Sequence, residues 1–154
     1  MARIEGIRVK NYGTLKDVTL GQLWNMRDVA PLTPMAVVIG KNGAGKSTLF
    51  DAFGFLADCL RVGVEEACDL RGRGGYAKLR SQGALDPIEF EIYYKESRND
   101  RPITYEISID LDDHRRPFVH KERLRQRRKG QDSKGSPFSF LRLEDGKGIV
   151  WKGE

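Results

Sequence analysis

One short segment has the residue types and the spacing that a phosphate-binding loop needs. Its letters are GKNGAGKST, and they satisfy the pattern G-x-x-x-x-G-K-[ST]. Glycines let the backbone adopt conformations that a β-carbon would forbid, so that successive N–H groups can converge on one phosphate. A lysine adds a compact positive charge, and the hydroxyl that follows it can hold Mg²⁺. The predicted phosphate-binding residues are Gly40, Asn42, Gly43, Ala44, Gly45, Lys46, Ser47 and Thr48, and the predicted magnesium ligand is Ser47.

The residues on both sides of this loop predict the elements that would position it. Residues 36–39 form a continuous apolar run, which is typical of a strand buried on both faces in a parallel sheet. Residues 47–60 predict a helix, because four apolar residues are spaced as one stripe along it. These four are Leu49, Phe53, Leu56 and Leu60. A strand, a glycine-rich loop and a helix in this order are the context in which the motif binds phosphate.

Alternating apolar and polar residues predict antiparallel strands in much of the remaining chain. Strands of this kind bury one face and leave the other in solvent. The alternation is found near Ile7, near Val18, and over residues 88–94, 103–111, 138–143 and 149–151. Residues 61–83 are instead rich in glycine and charge, and they predict a long mobile loop with a short helical turn near residues 64–70.

Together these patterns predict an α/β fold. A P-loop NTPase core, made of a mixed sheet, the phosphate loop and its helix, would be joined to an antiparallel β lobe. Residues 1–154 would form a single unit, with the core in residues 1–61, a loop in residues 62–87 and the β-rich lobe in residues 88–154.

Composition narrows the class of protein. The chain has 154 residues, of which 39% are hydrophobic and 32% charged, and this balance predicts a globular core. No apolar run approaches the roughly 18–20 residues that span a bilayer, so no membrane segment is expected. The two cysteines are too few for a disulfide framework, and the first residues have no secretory apolar region. We therefore expect a cytoplasmic protein.

Positive charge is concentrated in one stretch of the chain. The formal net charge is +5, and residues 114–129 contain eight basic residues against one acid. Such a stretch predicts contact with DNA or RNA, although a solvated loop is the simpler interpretation. The two histidines of this stretch have no partner at metal-ligand spacing. The basic residues are Arg115, Arg116, Lys121, Arg123, Arg125, Arg127, Arg128 and Lys129.

The loop and the residues before it resemble a known family. The form G-x-N-G-x-G-K-S-T is similar to that of ABC-type ATPases of the SMC and RecF-like group, including predicted AAA-family ATPases. The opening residues 7–18 resemble the N-terminal strand and turn of that group, in which a pair such as Asn11-Tyr12 is typical. The resemblance implies ATP and Mg²⁺ as ligands and a second head as partner in a homodimer. It also makes Asn11 and Tyr12 candidates to approach the adenine base.

Residues that this family uses for hydrolysis are not recognisable in the sequence. There is no L-S-x-G-[GQ] signature and no run of four apolar residues that ends in Asp-Glu. The nearest acids follow a strictly alternating strand, which predicts a solvated strand end rather than a magnesium site. No local pattern supports either glutamine that could bridge the metal and the attacking water. These candidates are Asp110, Asp112, Asp113, Gln82 and Gln126.

The sequence therefore predicts the N-terminal part of an SMC/RecF-like ATPase head that binds ATP with Mg²⁺. ATPase activity is what the resemblance implies, but this chain alone is expected to be inactive or weak. Hydrolysis would need downstream motifs and dimerisation, because rate enhancement comes from groups placed around the transferred phosphoryl group. Two alternatives stay open: a complete small P-loop kinase or GTPase, and a nucleic-acid-binding module that uses residues 115–129.

Overall fold

Seven strands form one sheet in the described part of the chain, and α-helices pack against one of its faces. The computed structural model describes residues 2–97, 99–127 and 137–151. The strands are β1 (Arg3–Tyr12), β2 (Leu15–Gly21), β3 (Ile88–Lys95), β4 (Ile103–Leu111), β5 (Pro117–Gln126), β6 (Phe138–Glu144) and β7 (Lys147–Val150). The helices are α1 (Lys46–Val62), α2 (Val64–Asp69) and α3 (Tyr76–Leu79). The strand order is β2-β1-β3-β4-β5-β6-β7, and each of these pairings is antiparallel.

The alternation in the sequence explains which face of the sheet is buried. Val9, Phe90 and Ile107 lie opposite one another in β1, β3 and β4, and all three are buried in a core shared with α1. The residues before and after them along each strand are charged or polar, and Lys10 pairs with Glu89 across β1 and β3 at 2.9 Å. The predicted antiparallel strands, including the pair formed by β6 and β7, are therefore confirmed.

The helix predicted after the phosphate loop is confirmed as α1, but its buried stripe is different. Leu60 is 65% exposed and Phe53 is only partly buried. The helix packs through small and aromatic residues that lie one position away from the predicted ones. An acid also lies on the buried face, because arginines neutralise its charge. The buried residues of α1 are Leu49, Ala52, Phe55, Leu56, Asp58 and Cys59.

The helical turn predicted near residues 64–70 is confirmed as α2, but the rest of the segment predicted as a mobile loop is also folded. It contains α2, a single 3₁₀ turn at Leu70–Gly72, and α3. Ala67 and Cys68 of α2 and Tyr76 of α3 are buried in the main core. The Tyr76 hydroxyl also donates to the carbonyl of Ile109 in β4 at 2.7 Å, which ties α3 to the sheet. The glycines and charged residues around these apolar residues give the segment the composition of a loop. The helical spacing of the apolar residues in α2 was the signal for a helix.

The parallel core expected around residues 36–39 is not found among the described residues. This run forms no strand, and Val37 and Ile39 are 71% and 90% exposed. The predicted mixed sheet is therefore wrong for the described chain, which has one all-antiparallel sheet. A strand that is apolar on both faces is typical of parallel sheets with both faces covered, and no described strand pairs with this run.

Candidate nucleotide site

Two glycines of the phosphate loop have backbone angles that residues with a β-carbon rarely adopt. Gly43 and Gly45 have φ angles of +83° and +85°, in the left-handed region that favours glycine. A β-carbon at Gly45 would also lie 3.0 Å from the Thr14 hydroxyl and 3.1 Å from a methyl carbon of Leu15. The loop is therefore shaped by its own glycines and by the turn between β1 and β2, which lies against it.

The Lys46 side chain folds back across the loop. Its ammonium donates to the carbonyl of Gly40 at 2.6 Å and to that of Lys41 at 2.7 Å. An ammonium has three N–H donors, so one donor remains beyond these two bonds. The lysine thus closes the loop and keeps a positive charge beside it.

The start of α1 is electrostatically suited to an anion. Gly45 is the N-cap residue and contributes no side-chain hydrogen bond, and the first turn carries no acid. The first backbone N–H groups of a helix have no intrahelical acceptor, and the helix dipole is positive there. Ser47 lies in this first turn and is exposed. These backbone donors, the Lys46 ammonium and the Ser47 hydroxyl form a donor set that fits a polyphosphate with Mg²⁺.

The turn between β1 and β2 is held at both ends. The Thr14 and Thr48 hydroxyls lie 3.2 Å apart, which joins the turn to α1. The N–H of Gly13 donates to the carbonyl of Leu79 at 2.6 Å, and the Ser81 hydroxyl donates to the carbonyl of Gly13 at 2.8 Å. The turn therefore connects α3 and the segment after it to the start of α1, beside the phosphate loop.

The two residues expected near the adenine base have roles inside the fold. The Asn11 amide donates to the carbonyl of Pro87 at 3.0 Å. Tyr12 is 1% exposed, and its hydroxyl donates to Asp51 at 2.5 Å. Burial, and then the bond to Asp51, raises the pKa of the Tyr12 hydroxyl far above its ordinary value. The Tyr12 ring is therefore not available to contact the adenine base, so the expectation that Tyr12 approaches adenine is wrong.

Two acids of α1 and two arginines form an ion cluster that local sequence patterns do not predict, and its centre is the buried pair Asp58 and Arg73. The Arg73 guanidinium donates to Asp51 at 3.1 Å and to Asp58 at 2.8 Å. Arg71 also donates to Asp58, at 2.8 Å. The bonds from Arg71 and then Arg73 hold the pKa of the Asp58 carboxyl well below its usual range. The available signal was the spacing of two acids on one helix face, followed by an arginine pair.

The acids and glutamines considered for hydrolysis have no described contact with the phosphate loop. The Asp112 carboxylate accepts from the N–H groups of His114 at 2.9 Å and Arg116 at 2.8 Å, so it stabilises the turn after β4. Asp110 accepts from its neighbour's N–H, and the Gln126 amide donates to the carbonyl of Arg101. The remaining two candidates, Asp113 and Gln82, are exposed. The catalytic groups are therefore not assigned.

The basic stretch forms a strand whose cations are paired with acids. It contains β5, and Arg128 and Lys129 lie outside the described residues. Lys121 lies 3.8 Å from Glu144, and Arg123 lies 3.8 Å from Glu106. Arg125 is buried against Glu106 and the Trp24 ring, with its guanidinium 4.2 Å from the ring centre. Part of the positive charge of this stretch is therefore offset by nearby acids in the described part of the chain.

Replacing Lys121 and Arg123 together with glutamine is expected to leave the salt dependence of DNA binding unchanged. Each cation lies near a carboxylate, whose negative charge opposes the approach of a phosphate, so few counterions should be released through these two residues. The slope of log K against log salt concentration, measured with a labelled DNA duplex, should change by less than about one unit. Arg115→Gln, at an exposed turn position, is the matched control. A fall of about two units for the double variant would contradict this and support the nucleic-acid hypothesis.

Two further features of the described chain concern membranes and metals. None of its helices has both the length and the apolar composition to cross a bilayer. Residues 2–97, 99–127 and 137–151 contain no cluster of three histidine, cysteine or acidic side chains that could hold a metal ion. His120, one of the two histidines considered, instead pairs with Asp145 at 2.8 Å.

Comparison with known families identifies the class to which this loop belongs. Residues 35–147 match the family described as "AAA domain, putative AbiEii toxin, Type IV TA system". The matched range includes the phosphate loop and continues from α1 to β6. No curated protein and no solved structure matches the chain. Because the match covers well over half of the residues, the chain belongs to this AAA-domain family of P-loop ATPases, which in general bind ATP with Mg²⁺.

Proposed function

We propose that residues 40–48 bind the phosphates of ATP with Mg²⁺, and that the chain is the nucleotide-binding part of an SMC/RecF-like ATPase head. The observation that carries this proposal is the donor set at the start of α1. The glycines at positions 43 and 45 have the positive φ angles that a phosphate loop requires, and the helix start has no side-chain cap. Backbone N–H groups would hold the β-phosphate, the Lys46 ammonium would contact the β- and γ-phosphates, and the Ser47 hydroxyl would hold Mg²⁺.

The exposed apolar run before the loop supports a head that is completed by further strands. Val37 and Ile39 are largely exposed, and Met35 is 80% exposed. Successive apolar residues of this kind suit a strand that lies between parallel neighbours in a sheet whose two faces are covered by helices. We propose that another polypeptide segment supplies these strands and the acids that hydrolysis requires, and that a second head completes the composite site.

ATP binding can be tested directly by equilibrium titration with a labelled nucleotide. We expect saturable binding that weakens when EDTA removes Mg²⁺, since the Ser47 hydroxyl acts through the metal. Pyrophosphate should compete with ATP, whereas adenosine should not, because the described contacts are made by phosphate-binding groups. Binding that adenosine abolishes and pyrophosphate leaves unchanged would contradict the assignment of the phosphate loop.

Steady-state ATP turnover by the isolated chain is expected to remain near background. The phosphate loop can bind, but rate acceleration needs charged and water-positioning groups around the transferred phosphoryl group. The acids at the end of β4 are occupied by turn and backbone contacts. Phosphate release should therefore be the same for the unchanged chain, Asp110→Asn and Asp112→Asn. Rapid turnover that either substitution abolishes would favour a complete small P-loop enzyme.

A further inference from the structure

One side of α1 carries the proposed magnesium ligand and both acids of the ion cluster. An α-helix turns by about 100° per residue, so positions 47, 51 and 58 fall within about 40° of one another around the axis. Gly54 lies on the same side, between the two acids. Because they share one side, rotation of α1 about its axis would shift the Ser47 hydroxyl and both carboxylates in the same direction.

Arg73 lies across this side of the helix. Its side chain is 3% exposed, and its guanidinium bonds to Asp51 and Asp58 at once. A β-carbon added at Gly54 would lie 3.4 Å from a guanidinium nitrogen, which is ordinary van der Waals contact, so the arginine packs directly against this side of the helix.

Contacts outside α1 fix the position of the guanidinium. The same Arg73 nitrogen that bonds to Asp58 donates to the carbonyl of Ala67 in α2 at 3.0 Å. From the other direction, Tyr12 of β1 donates to Asp51. The acids of α1 are thus bonded to Tyr12 of β1 and to Arg73, which is itself bonded to α2, and such bonds oppose rotation of the helix.

We propose that Arg73 is a positioning residue for the nucleotide site, which sets the rotation of α1 and with it the direction of the Ser47 hydroxyl. The inference rests on the proposed binding of ATP with Mg²⁺. Mg²⁺ demands near-ideal octahedral geometry, so a ligand on a loosened helix loses affinity for it. The loop backbone is held separately, by the Lys46 bonds and by the turn at Thr14. Loss of Arg73 should therefore affect the metal-dependent part of binding most.

The test compares ATP affinity in Mg²⁺ and in EDTA for the unchanged chain and for Arg73→Lys. Lysine keeps the charge but cannot bond to both acids through a planar fork. We expect the ratio of the two affinities to fall by about tenfold or more, as when a group that orients a metal ligand is removed. Arg8→Lys is the matched control, because Arg8 makes a two-bond contact with Asp17 between β1 and β2. Its ratio should not change.

A double-mutant cycle separates positioning from stability. If Arg73 acts through Ser47, then Arg73→Lys should not lower the ratio further in a chain that already carries Ser47→Ala. A purely structural role would lower affinity equally with and without Mg²⁺, and that result would overturn the inference while the proposed function stands.

A second variant covers the case in which Arg73→Lys does not fold. Tyr12→Phe keeps the buried ring and removes only the hydroxyl bond to Asp51. We expect a smaller fall of the affinity ratio in the same direction, and an unchanged ratio would overturn the inference. If the unchanged chain bound ATP equally well in Mg²⁺ and EDTA, the proposed magnesium site itself would be refuted.

Discussion

Replacing Lys46 with alanine is expected to weaken ATP binding by about 10- to 150-fold. A hydrogen bond to a charged group contributes about 1.5–3 kcal/mol, which converts to this range of dissociation constants. The substitution also removes the two bonds from the ammonium to the loop carbonyls of Gly40 and Lys41. Both losses act on the same loop, so the effect should lie toward the upper end of the range.

The same loop offers a matched control for the lysine substitution. Lys41 is exposed and five residues before Lys46, and Lys41→Ala makes the same change in net charge. Titration of labelled ATP against the three proteins should give a large loss for Lys46→Ala and little change for Lys41→Ala. Equal affinity for ATP in all three proteins would refute the assignment of the phosphate site. Equal losses of affinity in both variants would show that the change in net charge alone causes the loss.

The features that could be predicted from the sequence are those set by local patterns. The glycines at positions 43 and 45 adopt positive φ because the loop needs a conformation that β-carbons disfavour. The helix after the loop and the strands β1 to β4 follow from apolar periodicity, which depends on residues only a few positions apart. Errors within these elements are small, as in the one-position change of the buried stripe of α1.

The features that could not be predicted depend on partners far away in the chain. The basic stretch gave no sign of β5, because strand cations and loop cations look alike until acids such as Glu106 and Glu144 are placed opposite them. Residues 36–39 have the composition of a buried parallel strand, yet only neighbouring strands could make them one. Periodicity describes the face that a segment could bury and contains no information about what covers it.

The burial of Arg73 is the clearest case of such a long-range effect. An arginine in a glycine-rich segment predicts solvent exposure, and it is buried here because two acids of α1 face it at once. The Phe55 ring also lies against it, with the guanidinium carbon 5.4 Å from the ring centre. One residue thus connects α1, α2 and the segment whose composition predicts a loop.

Replacing Arg73 with methionine is expected to lower the free energy of unfolding by about 3 kcal/mol. Removing one partner of a buried ion pair is strongly destabilising, because the remaining charge loses hydrogen bonds that offset its burial. Arg71 and Arg61 still contact Asp58 and Tyr12 still contacts Asp51, so the loss should stay near the lower end of the usual range. Urea denaturation followed by circular dichroism measures the change.

The control and the pH dependence distinguish this effect from a general loss of charge. Arg8→Met removes an exposed pair with Asp17 and should cost at most about 1 kcal/mol. Because the pKa of Asp58 is lower in the folded chain than in the unfolded one, its contribution is present above the ordinary aspartate pKa and is lost as the pH falls through the lowered value. The difference between Arg73→Met and the unchanged chain should therefore shrink on acidification. A difference that stays constant to low pH would show that lost packing against Phe55, rather than the ion cluster, accounts for the destabilisation.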